Sequence, residues 1–315
     1  MGIAALGVVH VNVNCAGLAR SLGFYRDLLG LVPLTHTNPR PQPGAGFGLP
    51  GLVQWDARLL HDERGALGPA VDLLEWKSPR PIGKPHAEAN SLGMFRLCLS
   101  VPDLDARYAR LEAAGVHCLS PPVTAPIDPA TGLSVRFFCA RDPDGTAVEL
   151  LEAPGAPRAL RLRHVNVNCS NLVRSADWYR RVLGLATLGS SSPGPVDGAG
   201  FGWRFACEWR AEFLAVPGAP DPFVIDLLEW VTPRPTAKPY ADANHLGLFL
   251  FRLAFLVEDA HACFDELVRE GVTASAPIWL EMGPEVPIAG LWVVFFRDPD
   301  GTCLELIQRP ERLAR

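Results

Sequence analysis

No apolar run in this chain reaches the roughly 18 residues needed to cross a bilayer. None of its eight cysteines forms a CxxC pair, and no run of Lys or Arg is long enough to make a basic patch. Each absence excludes something. The first predicts a protein with no membrane partner. The second, with cysteines set inside apolar stretches such as Phe137-Phe138-Cys139, predicts structural thiols in a reducing compartment, with the cytoplasm as the default. The third, with a net charge of −5, argues against a nucleic-acid surface. The N-terminus lacks a basic leader, and His10, Asn12 and Asn14 interrupt its apolar residues, so no signal peptide is expected.

What is present is a globular composition, 48% hydrophobic and 20% charged, written twice. His10-Val11-Asn12-Val13-Asn14-Cys15 returns as His164-Val165-Asn166-Val167-Asn168-Cys169. The same shift of 154 residues carries Tyr25 to Tyr179, Trp55 to Trp209, Trp76 to Trp230, Glu75 to Glu229 and Asn90 to Asn244. After a two-residue insertion a shift of 156 carries Arg96 to Arg252, Asp142 to Asp298 and Glu149 to Glu305. Two copies of one long unit predict two similar domains, at 1–153 and 158–315, with Pro154-Gly155-Ala156-Pro157 as the linker.

Each copy divides again. Val9, Val11 and Val13 alternate with His10, Asn12 and Asn14, the pattern of a half-buried strand. Leu18, Leu22, Tyr25 and Leu29 form the stripe of an amphipathic helix, which Gly30 ends. Strand-like stretches follow at 31–37, 52–60 and 70–76. The second quarter repeats this order: a strand from Phe95 to Val101, a helix capped by Asp103, and a hairpin around Arg141-Asp142-Pro143-Asp144-Gly145. The Asp-Pro-Asp-Gly runs read as turns rather than metal loops. Stretches 38–51 and 189–200 read as long surface loops able to cover a cavity.

This α+β arrangement, four βαβββ units paired into two cupped mixed sheets, resembles the vicinal-oxygen-chelate superfamily, which includes glyoxalase I, bleomycin-resistance proteins and extradiol dioxygenases. The resemblance rests on two runs that each occur twice: the opening His10-Val11-Asn12-Val13-Asn14 with Ser21 to Leu31, and the closing Asp142-Pro143-Asp144-Gly145-Thr146-Ala147-Val148-Glu149-Leu150. It implies paired units that cup a cavity with a metal inside; pairing within each half or across halves can both be built from this order. Carried over residue by residue, it implies one cavity with His10, Glu75, Arg96 and Glu149, and another with His164, Glu229, Arg252 and Glu305. Arginine stands where glyoxalase I has a second histidine.

That departure governs the chemistry. A guanidinium has no free lone pair and cannot ligate a metal. His10, Glu75 and Glu149, or His164, Glu229 and Glu305, could still hold Zn²⁺, Mn²⁺, Fe²⁺, Co²⁺ or Ni²⁺. Yet a dication about 4 Å from the guanidinium is repelled by roughly 8 kcal/mol at an effective dielectric near 20. The metal-free form, with the arginine bridging two carboxylates, is therefore favoured. Asn12, Asn14, Asn166 and Asn168 share the polar strand faces and are expected to touch substrate. So are Tyr240 and His245, which occur only in the second copy. The four repeated tryptophans read as core before ligand wall. The basic Pro79-Arg80-Pro81 segment and its repeat read as a solvated linker.

An extradiol dioxygenase would need the missing histidine and is disfavoured. The expected function is an isomerase, lyase or cyclase acting on an oxygen-rich small molecule. A metal-free antibiotic-binding protein is the alternative, and a monomer or homodimer is expected in either case. The abundance of Ala, Arg, Pro and Gly suits a GC-rich bacterial source, where such proteins accompany natural-product metabolism.

Overall fold

The computed structural model describes residues 2–128, 131–152, 159–235, 246–247 and 250–308. The predicted linker at 154–157 and the candidates Tyr240 and His245 lie outside these residues.

Four βαβββ units follow one another. Unit 1 opens with strand Gly7–Asn14 and closes with Ala70–Ser78; unit 2 runs from Gly93–Ser100 to Ala147–Glu152. Unit 3 runs from Arg161–Asn168 to Val224–Thr232, and unit 4 from Leu250–Val257 to Cys303–Gln308. Within each unit the opening and closing strands pair in parallel, which needs the intervening helix as a crossover.

Between units the opening strands pair antiparallel, and here the chain crosses its own halves. Gly7–Asn14 pairs with Leu250–Val257, setting Val11 opposite Leu253. Arg161–Asn168 pairs with Gly93–Ser100, setting Val165 opposite Leu97. One nine-stranded sheet thus unites units 1 and 4, and the other unites units 2 and 3. The halves 1–153 and 158–315 each hold one unit of either sheet, so each cup draws on both copies.

A single large core joins the sheets. It takes Val11, Val13, Leu97, Leu99, Val165, Val167, Leu253 and Phe255 from the four opening strands. The expected alternation slips at one point: a register shift between Val8 and His10 turns Val9 to the cavity side with His10. The unit 1 helix also differs from its repeat. Unit 3 has one helix, Leu172–Leu183, capped by Asn171, whereas unit 1 has a short helix Leu18–Leu22 that widens into a π-helical turn Gly23–Leu28. Gly30, at φ +93°, takes the left-handed step that ends it, a conformation glycine adopts without a Cβ penalty.

The Asp-Pro-Asp-Gly runs are turns, and they fasten one sheet to the other. Asp142 of unit 2 accepts from Tyr25 Oη of unit 1 at 3.0 Å and from the backbone amides of Asp144 and Thr146 at 2.9 and 2.8 Å. Asp144 accepts from the Ala16 amide at 2.9 Å. Unit 4 repeats the device on unit 3, with Asp298 against Tyr179 at 3.0 Å and Asp300 against the Ser170 amide at 2.9 Å.

The stretches read as surface loops contain structured cavity wall. Each carries a two-residue strand and a 3-10 turn, Ala45–Phe47 or Ala199–Phe201, that drives Phe47 or Phe201 into a cup. Gly46 lies so close to Ile278 that a Cβ there would meet its side chain at 2.5 Å.

Candidate functional site

Inside each cup is an apolar cavity with a charged floor. The cavity of units 1 and 4 has a volume of about 310 Å³, within the range of small-molecule sites. Phe47, Trp55, Trp76, Leu280 and Met282 wall it, and His10, Asp72, Arg252 and Glu305 form the floor. The cavity of units 2 and 3 is about 400 Å³, walled by Phe137, Phe201, Trp209 and Phe213 over His164, Asp226, Arg96 and Glu149.

The arginine is the centre of each floor. Arg252 Nε donates to Glu305 Oε2 at 2.8 Å and Nη2 to Asp72 Oδ2 at 3.2 Å, while Nη1 reaches Asn12 Oδ1 at 3.4 Å. Its guanidinium lies over the Phe295 ring, 5.8 Å from the centroid, where the ring face attracts a cation. His10 Nε2 sits 3.3 Å from Glu305 Oε2 and 3.8 Å from Asp72 Oδ2. In the other cup Arg96 Nε donates to Glu149 Oε2 and Nη2 to Asp226 Oδ2 at 2.9 Å, with Phe201 beneath it at 5.4 Å. His164 Nε2 is 3.8 Å from Glu149 Oε2, too long for a hydrogen bond.

Burial and pairing compete at Glu149, Glu305, Asp226 and the two arginines. Burial alone would raise the Glu149 carboxyl, but Arg96 and then His164 outweigh it and hold it down at about 2. Burial acts likewise on Glu305, and Arg252 and His10 outweigh it, keeping this carboxyl below its ordinary value. For Asp226 burial prevails over Arg96 and the carboxyl is raised. Arg252 is pushed down by burial and more strongly up by Glu305 and Asp72, so it stays charged.

The structure regroups the candidates read from the sequence. His10 belongs with Arg252 and Glu305, and His164 with Arg96 and Glu149, because the opening strands pair across the halves. Glu75 and Glu229 lie outside both cavity linings. Residues an odd number apart on a strand face opposite ways, so Asp72 faces the cup and Glu75 the helix. Glu75 Oε2 accepts from the Leu18 amide at 2.9 Å, capping a helix whose own N-cap, Gly17, has no side chain; its other oxygen meets Lys77 and Arg80. Glu229 does the same for Leu172 at 2.9 Å, with Arg210 on its other oxygen.

The asparagines lie beneath the floor. Asn12 Nδ2 donates to Asp72 Oδ2 at 3.1 Å, and Asn166 Nδ2 to Asp226 Oδ2 at 3.4 Å, so both orient the floor carboxylate. Asn14 donates to the Gly247 carbonyl at 2.7 Å, and Asn168 to the carbonyls of Ala89 and Ser91, both at 2.7 Å. All four are fully buried and none lines a cavity. Their placement as substrate contacts is corrected by those partners.

Asp72 and Asp226 of the floors, and the walls other than the tryptophans, were not singled out from the sequence. Asp72 and Asp226 recur at the same 154-residue shift, and a strict count of strand parity from Trp76 would have found them. Phe47 and Phe201 recur within the repeated Gly-Ala-Gly-Phe run, a signal lost among Pro and Gly.

A resident dication does not fit these quartets. In each floor the carboxylate oxygens nearest the histidine already accept from a guanidinium, which would stand beside the ion. Among the described residues no helix is long and apolar enough to cross a membrane.

The chain overlays on glyoxalase I from Zea mays with a TM-score of 0.61 at 16% identity, covering 96% of this chain and 92% of that one. The uncharacterised protein YaeR of Escherichia coli (strain K12) is 30% identical over 145 residues, which is 46% of this chain and 95% of YaeR. The family model of the Glyoxalase/Bleomycin resistance protein/Dioxygenase superfamily matches residues 7–150 and again 161–306. With both copies matched, the cupped sheets and their repeated arginine floors belong to a two-domain member of the glyoxalase/bleomycin resistance protein/dioxygenase superfamily.

Proposed function

We propose that the chain is an enzyme that moves a proton at the carbon beside a carbonyl group, the step shared by isomerases and lyases, on a small neutral molecule with a largely apolar body. The observation that carries this reading is the floor of the 310 Å³ cavity. A buried guanidinium and an imidazole there share Glu305, with His10 Nε2 3.3 Å and Arg252 Nε 2.8 Å from the same oxygen.

The division of labour follows from charge. Imidazole is the group suited to accept a proton near neutral pH, and the adjacent carboxylates stabilise the imidazolium that forms. The permanently charged guanidinium favours negative charge developing on the substrate oxygen. The proton passes from carbon to His10 Nε2 and returns to a neighbouring atom of the substrate. The floor of Asp72, Glu305 and Arg252 carries one more negative charge than positive, which disfavours an anionic substrate. The second cavity, with His164 and Arg96, has the same parts.

The aromatic walls, Phe47, Trp55 and Trp76, favour a second reading, sequestration of a flat ligand without turnover. Solvent-deuterium incorporation into a panel of neutral aromatic ketones and hydroxyketones, followed by NMR, separates the two. Exchange should occur with the wild type and fall at least 100-fold in the His10→Gln/His164→Gln double variant, with tryptophan quenching by the ketone preserved. Quenching without exchange in the wild type rejects the enzymatic reading.

A further inference from the structure

We infer that the cavity of units 2 and 3 binds an apolar molecule bearing one carboxylate, which Arg163 recognises at the cavity mouth, while the cavity of units 1 and 4 takes neutral ligands alone. This goes beyond the proton-transfer reading and concerns binding, so it holds whether or not either cavity turns a substrate over.

The two cups are near-copies, and they part at the residue before each floor histidine. Val9 of unit 1 becomes Arg163 of unit 3 at the 154-residue shift. The same irregularity turns both inward. Between Val8 and His10 two steps of the opening strand meet one step of its partner, and the register slips likewise between Leu162 and His164. A bulge of this kind re-aims a side chain that regular pleating would send to the opposite face. Arg163 and His164 are consecutive in sequence, yet both line the cavity, as Val9 and His10 line theirs.

The exchange alters the charge of the lining. Asp72, Glu305 and Arg252 leave the smaller cavity with one negative charge in excess. Asp226, Glu149, Arg96 and Arg163 balance in the larger one. Burial also raises the Asp226 carboxyl, which moves that floor further from negative. An anion entering the first cavity meets net repulsion, and one entering the second does not.

Arg163 is the guanidinium with room for the anion. Arg96 is buried and already serves Glu149 and Asp226. The Arg163 side chain is 45% exposed, and the lining residues Leu133 and Leu188 are similarly exposed, which places it at the mouth. Among the described residues its one hydrogen bond runs from Nη1 to Asp221 Oδ1 at 3.1 Å. Asp221 also meets Arg64 at 3.4 Å and Arg161 at 4.0 Å, so this exposed carboxylate is divided among three guanidiniums. Exposed pairs of this kind contribute little, and a guanidinium carries five N–H donors. Arg163 therefore keeps an edge free for a two-bond grip on a carboxylate. Below it Phe137, Phe201, Trp209 and Phe213 offer the apolar body a space of about 400 Å³.

The test is calorimetric titration of the full chain with para-acetylbenzoate and with its neutral amide, para-acetylbenzamide, which differ only in the head group. The wild type should bind one benzoate per chain, roughly tenfold or more tightly than the amide, with the preference shrinking as salt is added. Arg163→Val, which installs the residue of the other cup, should abolish that preference and leave amide affinity unchanged. Arg163→Gln serves if circular dichroism shows the valine variant misfolded. Arg161→Ala removes a neighbouring guanidinium that lies outside the lining, and should leave both affinities unchanged. The inference is overturned if the benzoate binds no more tightly than the amide, if the Arg163 variants keep the preference or weaken both ligands alike, or if two benzoates bind with equal affinity.

Discussion

Arg252 Nη2 donates to Asp72 Oδ2 at 3.2 Å although 180 residues separate them, and neither side chain is more than 7% exposed. This ion pair seals the seam where unit 1 meets unit 4, and its counterpart between Arg96 and Asp226 seals the seam of the other cup. Each arginine also holds the glutamate of its own unit, Arg252 taking Glu305 and Arg96 taking Glu149. The charged floor is therefore both the candidate site and the joint between the chain's two copies.

Removing the guanidinium alone should be costly. Arg252→Met leaves Asp72 and Glu305 as buried, uncompensated anions, and a loss of about 3–5 kcal/mol is expected in urea unfolding. Adding Asp72→Asn and Glu305→Gln should recover most of that loss, because the penalty lies in the stranded charges. A triple variant no more stable than the single one contradicts this account of the floor.

Changing the arginine to an imidazole should reverse the floor's preference for cations. Arg252→His supplies a lone pair and removes the repelling charge beside His10, Glu305 and Asp72. Elemental analysis after dialysis should find one more divalent ion per chain than in the wild type. No gain would mean that these side chains do not converge as described.

Glu75 and Glu229 should matter to stability and not to ligand. Glu75→Ala and Glu229→Ala each remove a carboxylate from a helix N-terminus and should cost about 1 kcal/mol. Tryptophan quenching by aromatic ketones should be unchanged. Weakened binding at unchanged stability would return these glutamates to the site.

Stability should rise as the pH is lowered from about 6 towards about 4. Burial raises the carboxyls of Asp142 and Asp298 to about 6 in the folded protein, above an ordinary value of 3.8. The unfolded chain therefore loses these protons first, and stability falls as pH climbs from about 4 to about 6. Glu149, held at about 2, acts oppositely: its contribution is complete above its ordinary 4.5 and is lost as pH falls towards 2. Calorimetry should show a maximum Tm near about pH 4, and Asp142→Asn/Asp298→Asn should flatten the alkaline side of that maximum. An unchanged profile in the variant assigns the effect elsewhere.

Local pattern carried much of this protein. The repeated strand-helix opening, the glycine after the helix and the Asp-Pro-Asp-Gly turns each follow from spacing within a dozen residues, and the cupped-sheet architecture is what their resemblance to the family implies. The resemblance carried by those runs implied a histidine, an arginine and a glutamate on cavity-facing strand positions. Glu75 shows where the resemblance misleads: strand parity sets it on the face opposite Asp72 and Trp76, and the packed helix at Leu18 takes it as a cap.

The sequence by itself determined the units and their number, because those depend on local periodicity and on the repeat; the histidine, arginine and glutamate of each floor were implied by the family resemblance. Which histidine shares a floor with which arginine was decided only in three dimensions. Two near-identical opening strands present near-identical edges, so nothing local distinguishes closure within a half from closure across halves. The choice lies in long-range contacts, the shared core and the buried ion pairs, which exist only once the chain has folded.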